Sequence, residues 1–151
     1  MDAPDLEIEE DHPPPNSRRG ARQLALQALY WTRSSPGSPD AALEEWSRQY
    51  ELSDDVRAFA GQLVRRVDEK GDELDALIAA TADHWSSDRM ARIDVLILSL
   101  ALAEILYFED IPVRVSIDEA IELARLFSTE QSYAFINGIL DAVVRQKKLP
   151  V

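Results

Sequence analysis

Cysteine is absent from the 151 residues. That excludes a disulfide framework, a thiolate nucleophile and a cysteine-bound metal, and it fits a reducing, cytoplasmic setting. Histidine is scarce: His12 and His84 lie far apart, with no ligand spacing around either. Five scattered glycines provide no glycine-rich loop to cradle a nucleotide phosphate. Long hydrophobic runs are missing too. The longest, Val95 to Phe108, is interrupted by Ser99 and Glu104 and is too short to span a bilayer. The N-terminus lacks the basic-then-apolar order of a signal peptide. Carboxylates are abundant, yet no pair stands out as an acid and its base. These absences argue for a soluble chain that is not an enzyme, takes no cofactor or metal and has no membrane contact.

What is present is an ordinary globular balance, 46% hydrophobic and 29% charged, enough for one domain with a sizeable core. The net charge of −12 repels a polyanion at long range. Its distribution is uneven, however. Asp2, Asp5, Glu7, Glu9, Glu10 and Asp11 fall in the first sixteen residues, which contain no Lys or Arg. Arg18, Arg19, Arg22 and Arg33 follow in a stretch without any acid. Residues 1–17, with Pro13, Pro14 and Pro15 in a row, read as a disordered acidic tail. Residues 18–149 read as the folded domain.

Periodicity within that domain is helical throughout, and no segment alternates cleanly with period two, so the fold class is all-α: a single compact bundle of about seven helices. Ala21, Leu24, Ala25, Ala28 and Leu29 draw one apolar stripe on a helix starting near Arg18. The run Ser34-Ser35-Pro36-Gly37-Ser38-Pro39 is a loop. Ser38 is placed to cap a short helix through Trp46, with Pro39 at its first position. Phe59, Leu63 and Val67 continue the pattern, Gly71 breaks it, and Leu74, Leu77 and Ile78 resume it towards Trp85. A helix starting at Asp88 is apolar on nearly every side from Val95 to Ala103, as expected of one surrounded by others. Ser116-Ile117-Asp118-Glu119 has the form of a capping box opening a helix to Phe127. The last helix, from about Glu130 to Lys147, buries Phe135, Ile136, Ile139, Leu140 and Val143.

On a helical wheel, Arg18, Arg19 and Arg22 share a sector of roughly 100° beside the apolar stripe. Arginine suits phosphate because its planar fork donates two hydrogen bonds at once. A helix N-terminus adds free backbone donors and the positive end of the dipole. The plainer alternative is a solvated face paired with nearby acids. The tail has two readings. Either it is an idle solubilising segment, or its six carboxylates, on a flexible tether, occupy the arginines as a crude mimic of a polyanion.

Arg18-Arg19-Gly20-Ala21-Arg22, followed by Ala25, Gln27, Ala28, Leu29 and Tyr30, resembles the opening of the NusB family. Ile111-Pro112-Val113, then Ser116-Ile117-Asp118-Glu119-Ala120-Ile121-Glu122-Leu123-Ala124, and finally Phe135-Ile136-Asn137-Gly138-Ile139-Leu140-Asp141 match the same family in order. The resemblance covers about residues 17–148. It implies a helical adaptor that binds boxA-type single-stranded RNA together with NusE, a small-subunit ribosomal protein, on the transcription elongation complex during antitermination of ribosomal RNA transcription. By position it implies RNA contacts at Arg18, Arg19, Arg22, Gln131 and Phe135, and partner contacts at Tyr30 and Asp94. For Phe135 plain core packing stays open, and for Asp94 the role of a helix-dipole acid. Asn137 and Gly138 read as structural. Gly20 departs from a position often basic in the family, Gln131 from a frequent acid and Ser99 from a common arginine. NusB-like domains also occur attached to RNA cytosine methyltransferases, but with no cysteine in these 151 residues that role is not expected here. The alternative function is a protein-only adaptor or a homodimer, its arginines paired with a partner's acids.

Overall fold

The computed structural model describes residues 13–34, 37–82 and 91–151, which form seven helices and no strand. The acidic residues 2–11, His12, His84, Trp85 and the expected helix start at Asp88 lie outside the described residues. In chain order the helices are α1 (Arg18–Ser34), α2 (Pro39–Gln49), α3 (Asp54–Glu69), α4 (Gly71–Thr81), α5 (Arg92–Tyr107), α6 (Val113–Phe127) and α7 (Glu130–Gln146). None of them is long and apolar enough to cross a membrane.

The apolar patterning sets the arrangement. On α5 every residue from Leu96 to Ile105 is buried, so it has no outward face, and it packs against α1, α3, α4, α6 and α7. Around it, α1 contributes Leu24, Leu26 and Leu29, α3 contributes Phe59, Leu63 and Val67, and α7 contributes Ile136, Ile139 and Leu140. A remote polar tie joins α4 to the end of α5. The Tyr107 hydroxyl donates to Glu73 at 2.6 Å, with Arg66 and Lys70 each 5.2 Å from its ring centroid. The bond to Glu73 raises the tyrosine pKa above its ordinary value.

Local signals place several helix starts. Ser38 and Ser53 cap α2 and α3, accepting from Ala41 N and Val56 N. Helix ends carry weaker signals. The periodic pattern predicts that α2 stops at Trp46, whereas it runs to Gln49. It closes through Glu51 at φ 54°, with Glu51 N bonded to Arg48 O and Leu52 N to Ser47 O. Lys148, also at φ 54°, closes α7 in the same way, with Lys148 N on Arg145 O and Leu149 N on Val144 O. This closure usually takes glycine. Here non-glycine residues adopt it, and Leu52 and Leu149 pack against the core.

Residues 13–17 depart from the expected loose tail. Pro14 is buried, and Asn16 Oδ1 accepts from Ser53 N at 2.9 Å, docking the segment on the start of α3. The chain then crosses so closely over α1 that a Cβ on Gly20 would stand 1.7 Å from Pro15 O. Gly20 is thus a steric requirement of this docking. Gly20→Ala is expected to cost about 1–3 kcal/mol, typical of overpacking against backbone. Urea unfolding should show a lower midpoint at unchanged slope.

Candidate nucleic-acid interface

Where α1 begins, three arginines meet acidic side chains of other elements. Arg22 lies seven residues before Leu29, on the same face of α1, so the helix turns it inward. Arg18 and Arg19 precede it by one turn and less, beyond the edge of the core.

Arg22 is the most deeply held of the three, its side chain 6% exposed. Its Nε donates to Glu104 Oε2 at 2.9 Å and its Nη2 to Oε1 of the same carboxylate. Glu104, on α5, is equally buried and accepts a third bond from Ser116 Oγ of α6 at 3.0 Å. The Arg22 guanidinium also lies 5.2 Å from the Phe59 ring centroid. This corrects the expectation that Arg22 stands with the other two at the surface. A guanidinium on the buried face of α1 must find a carboxylate inside the protein, because an unpaired buried charge costs several kcal/mol.

Arg18 and Arg19 remain at the surface, their side chains 55% and 54% exposed. Arg19 donates through Nε and Nη2 to both oxygens of Glu119 at 3.2 and 3.1 Å. That bond and the charge behind it raise the Arg19 pKa above its already high ordinary value. Glu119 also stands 4.0 Å from Arg22 Nη1, linking the surface arginine to the buried one. Arg18 stacks over the Phe59 ring at 4.6 Å and approaches Asp110 at 3.6 Å. Such exposed pairs contribute little to stability.

The capping-box reading of Ser116 to Glu119 is corrected by the same contacts. α6 begins at Val113 after Pro112 and shows no side-chain cap. Ser116 and Glu119 occupy its interior, and their side chains serve Glu104 and Arg19 instead.

The other expected site residues are dispersed. Asp94 is 3% exposed and accepts from Ser128 Oγ at 2.6 Å and Ser132 Oγ at 2.9 Å. It therefore fastens the α6–α7 connection to the first turn of α5, rather than presenting a carboxylate to a partner. Its place near the helix N-terminus also suits the dipole. Phe135 is 8% exposed and belongs to the core, so its ring face is not open for stacking in this conformation. Gln131 is exposed in the first turn of α7, and Tyr30 is half-buried on α1 beside Trp31, which is 56% exposed. Ser99, where the family often has arginine, is buried and bonds Val95 O at 2.9 Å. Among the described residues no group of three or more His, Asp or Glu could hold a metal ion.

Sequence reasoning missed Glu104, Glu119 and Phe59 as parts of this site. Glu104 carried a signal: a lone carboxylate on a helix that is apolar all round needs a buried partner. Glu104→Leu is expected to cost about 3–5 kcal/mol by leaving Arg22 without its main counter-charge. Adding Arg22→Met should recover most of that loss, and urea unfolding of both variants checks it.

Comparison with known proteins agrees with the fold and the motifs. The profile of the NusB family matches residues 19–145. The transcription antitermination protein NusB of Thermodesulfovibrio yellowstonii is 40% identical over 140 residues, covering 86% of this chain and 93% of that protein. The solved NusB of T. maritima superposes with a TM-score of 0.76 at 33% identity, covering 86% of this chain and 92% of that one. A solved complex of antitermination factors NusB and NusE with dsRNA contains a chain matching at TM-score 0.74 and 24% identity. That match covers 85% of this chain and 96% of the other, a likeness of fold alone. The all-helical fold of the described residues with these motifs, matched to the family profile over residues 19–145, establishes that the chain belongs to the NusB family of transcription antitermination proteins, which are not enzymes.

Proposed function

We propose that this protein is an RNA-binding antitermination adaptor, taking boxA-type single-stranded RNA together with NusE in the transcription of ribosomal RNA. The observation that carries this reading is the pair of half-exposed guanidiniums, Arg18 and Arg19, side by side at the start of α1. They are the surface members of the arginine cluster and offer N–H donors to phosphate beyond those used inside the protein. NusE and RNA as partners are supported by the solved complex of NusB and NusE with dsRNA, which contains a chain of this fold, while the single-stranded boxA-type form follows from the family resemblance. Such work is done in the cytoplasm, on the elongation complex.

Arg22 does not reach RNA in this reading. It anchors the segment that presents the other two. With net charge −12 around so small a cationic patch, the chain binds RNA weakly alone and more tightly when NusE adds contacts of its own. Gln131 and Tyr30 are the remaining exposed or half-exposed candidates for these contacts, whereas Asp94 and Phe135 act from within the fold.

Titration of a labelled boxA-type RNA against wild type and an Arg18→Ala/Arg19→Ala variant tests the reading. The variant should bind at least about tenfold more weakly, and its log–log salt dependence should be shallower by about 1.4, at about 0.7 per phosphate contact on single strands. Equal affinity and slope would leave a protein-only adaptor as the better account.

A further inference from the structure

We infer that Glu119 is a positioning residue for RNA binding, holding Arg19 by one edge so that its opposite edge stays turned outward to a phosphate. The inference rests on the function proposed above and assigns a role within it to a residue on a different helix.

A guanidinium has five N–H donors in one plane. Glu119 engages the Nε and Nη2 positions with both of its oxygens, at 3.2 and 3.1 Å. The Nη1 donors and one on Nη2 remain, which is the end of the fork that grips a phosphate with two parallel bonds. Exposure orders the pair: the Glu119 side chain is 16% exposed and Arg19 54%, so the acid lies inside and the base outside. A phosphate arriving from solvent meets Arg19 first and has no need to displace the carboxylate.

Glu119 is itself braced. Its Oε2 stands 4.0 Å from Nη1 of Arg22, which is fixed by Glu104, and Glu104 by Ser116. A continuous chain of charged and hydroxyl groups thus runs from the joint of α1, α5 and α6 to the surface. A free arginine side chain samples many rotamers and loses that freedom on binding, whereas one already clamped loses less. Glu119 also places a negative charge near the incoming phosphate. That repulsion acts within the Debye length of about 8 Å at physiological salt and opposes the gain from alignment, so the sign of the Glu119→Gln effect shows which of the two is larger.

The test is a double-mutant cycle on affinity for a labelled boxA-type single-stranded RNA, using the full chain at about 0.15 M salt. Glu119→Gln should bind about three- to tenfold more weakly, the scale of one side chain's ordering. In an Arg19→Ala background the same substitution should change nothing, because the group it aligns is gone. Arg19→Lys, which leaves Glu119 in place, should also bind several-fold more weakly, since an ammonium has charge but no fork. Unchanged or tighter binding by Glu119→Gln overturns the inference, as does an equal loss in both backgrounds or wild-type binding by Arg19→Lys. If Arg19→Ala itself binds like wild type, the proposed function fails before Glu119 comes into question.

Discussion

The buried ion pair between Arg22 and Glu104 is the constraint from which the start of α1 takes its form. Each partner lies on a face that packing drives inward: Arg22 seven residues before Leu29 on α1, and Glu104 on the fully enclosed α5. Neither charge has water to turn to, so each depends on the other, with the Ser116 hydroxyl satisfying a further lone pair of the carboxylate. A pair like this adds little net stability over an apolar contact of the same volume, yet it penalises every arrangement in which the two fail to meet. It therefore fixes how α1 sits against α5 and α6. The positions of Arg18, Arg19, Glu119 and the Phe59 ring follow from that register.

Charge is organised around the same point. Taken together, Arg18, Arg19 and Arg22 are matched by Asp110, Glu119 and Glu104, so this corner of the fold carries almost no net charge. What distinguishes the outer arginines is their exposure and alignment rather than a large positive field. An anionic protein can hold RNA with so few groups only if they are ordered beforehand and if a partner shares the task. That logic matches an adaptor better than a stand-alone RNA-binding protein.

Much of the fold was legible in the sequence, because amphipathic or enclosed helices leave a strong periodic signal and Ser38 marks a start. The end of α2 was not, since Glu51 takes a left-handed closure that sequence assigns to glycine, whereas α7 stops within a residue of its expected end although Lys148 closes it in the same way. Ser116 to Glu119 satisfied the spacing of a capping box, but the same two side chains were required by residues remote in sequence. The clustering of the arginines was legible, and their division between surface and interior was not. Arg18, Arg19 and Arg22 read alike along the chain, and only the wheel position of Arg22 against Leu29 hints that it turns inward. Gly20 looked only like a departure from a position often basic in the family, and its necessity appears once Pro15 is seen crossing above it. The partners of Asp94, Ser128 and Ser132, lie 34 and 38 residues away, beyond the reach of any local pattern.

Everything in the proposed division of labour turns on separating the buried arginine from the two exposed ones. The most direct measurement is the RNA affinity of a chain in which Arg22→Met and Glu104→Leu replace the buried pair together, preserving its packing. The expected result is a folded protein that binds boxA-type RNA about two- to fourfold more weakly than wild type, because Glu119 loses its brace on Arg22 while the RNA contacts of Arg18 and Arg19 stay in place. Removal of a charged hydrogen bond to phosphate costs more, about tenfold or above. A loss as large as that caused by removing Arg18 and Arg19, in a variant that unfolds at the wild-type urea concentration, would contradict it.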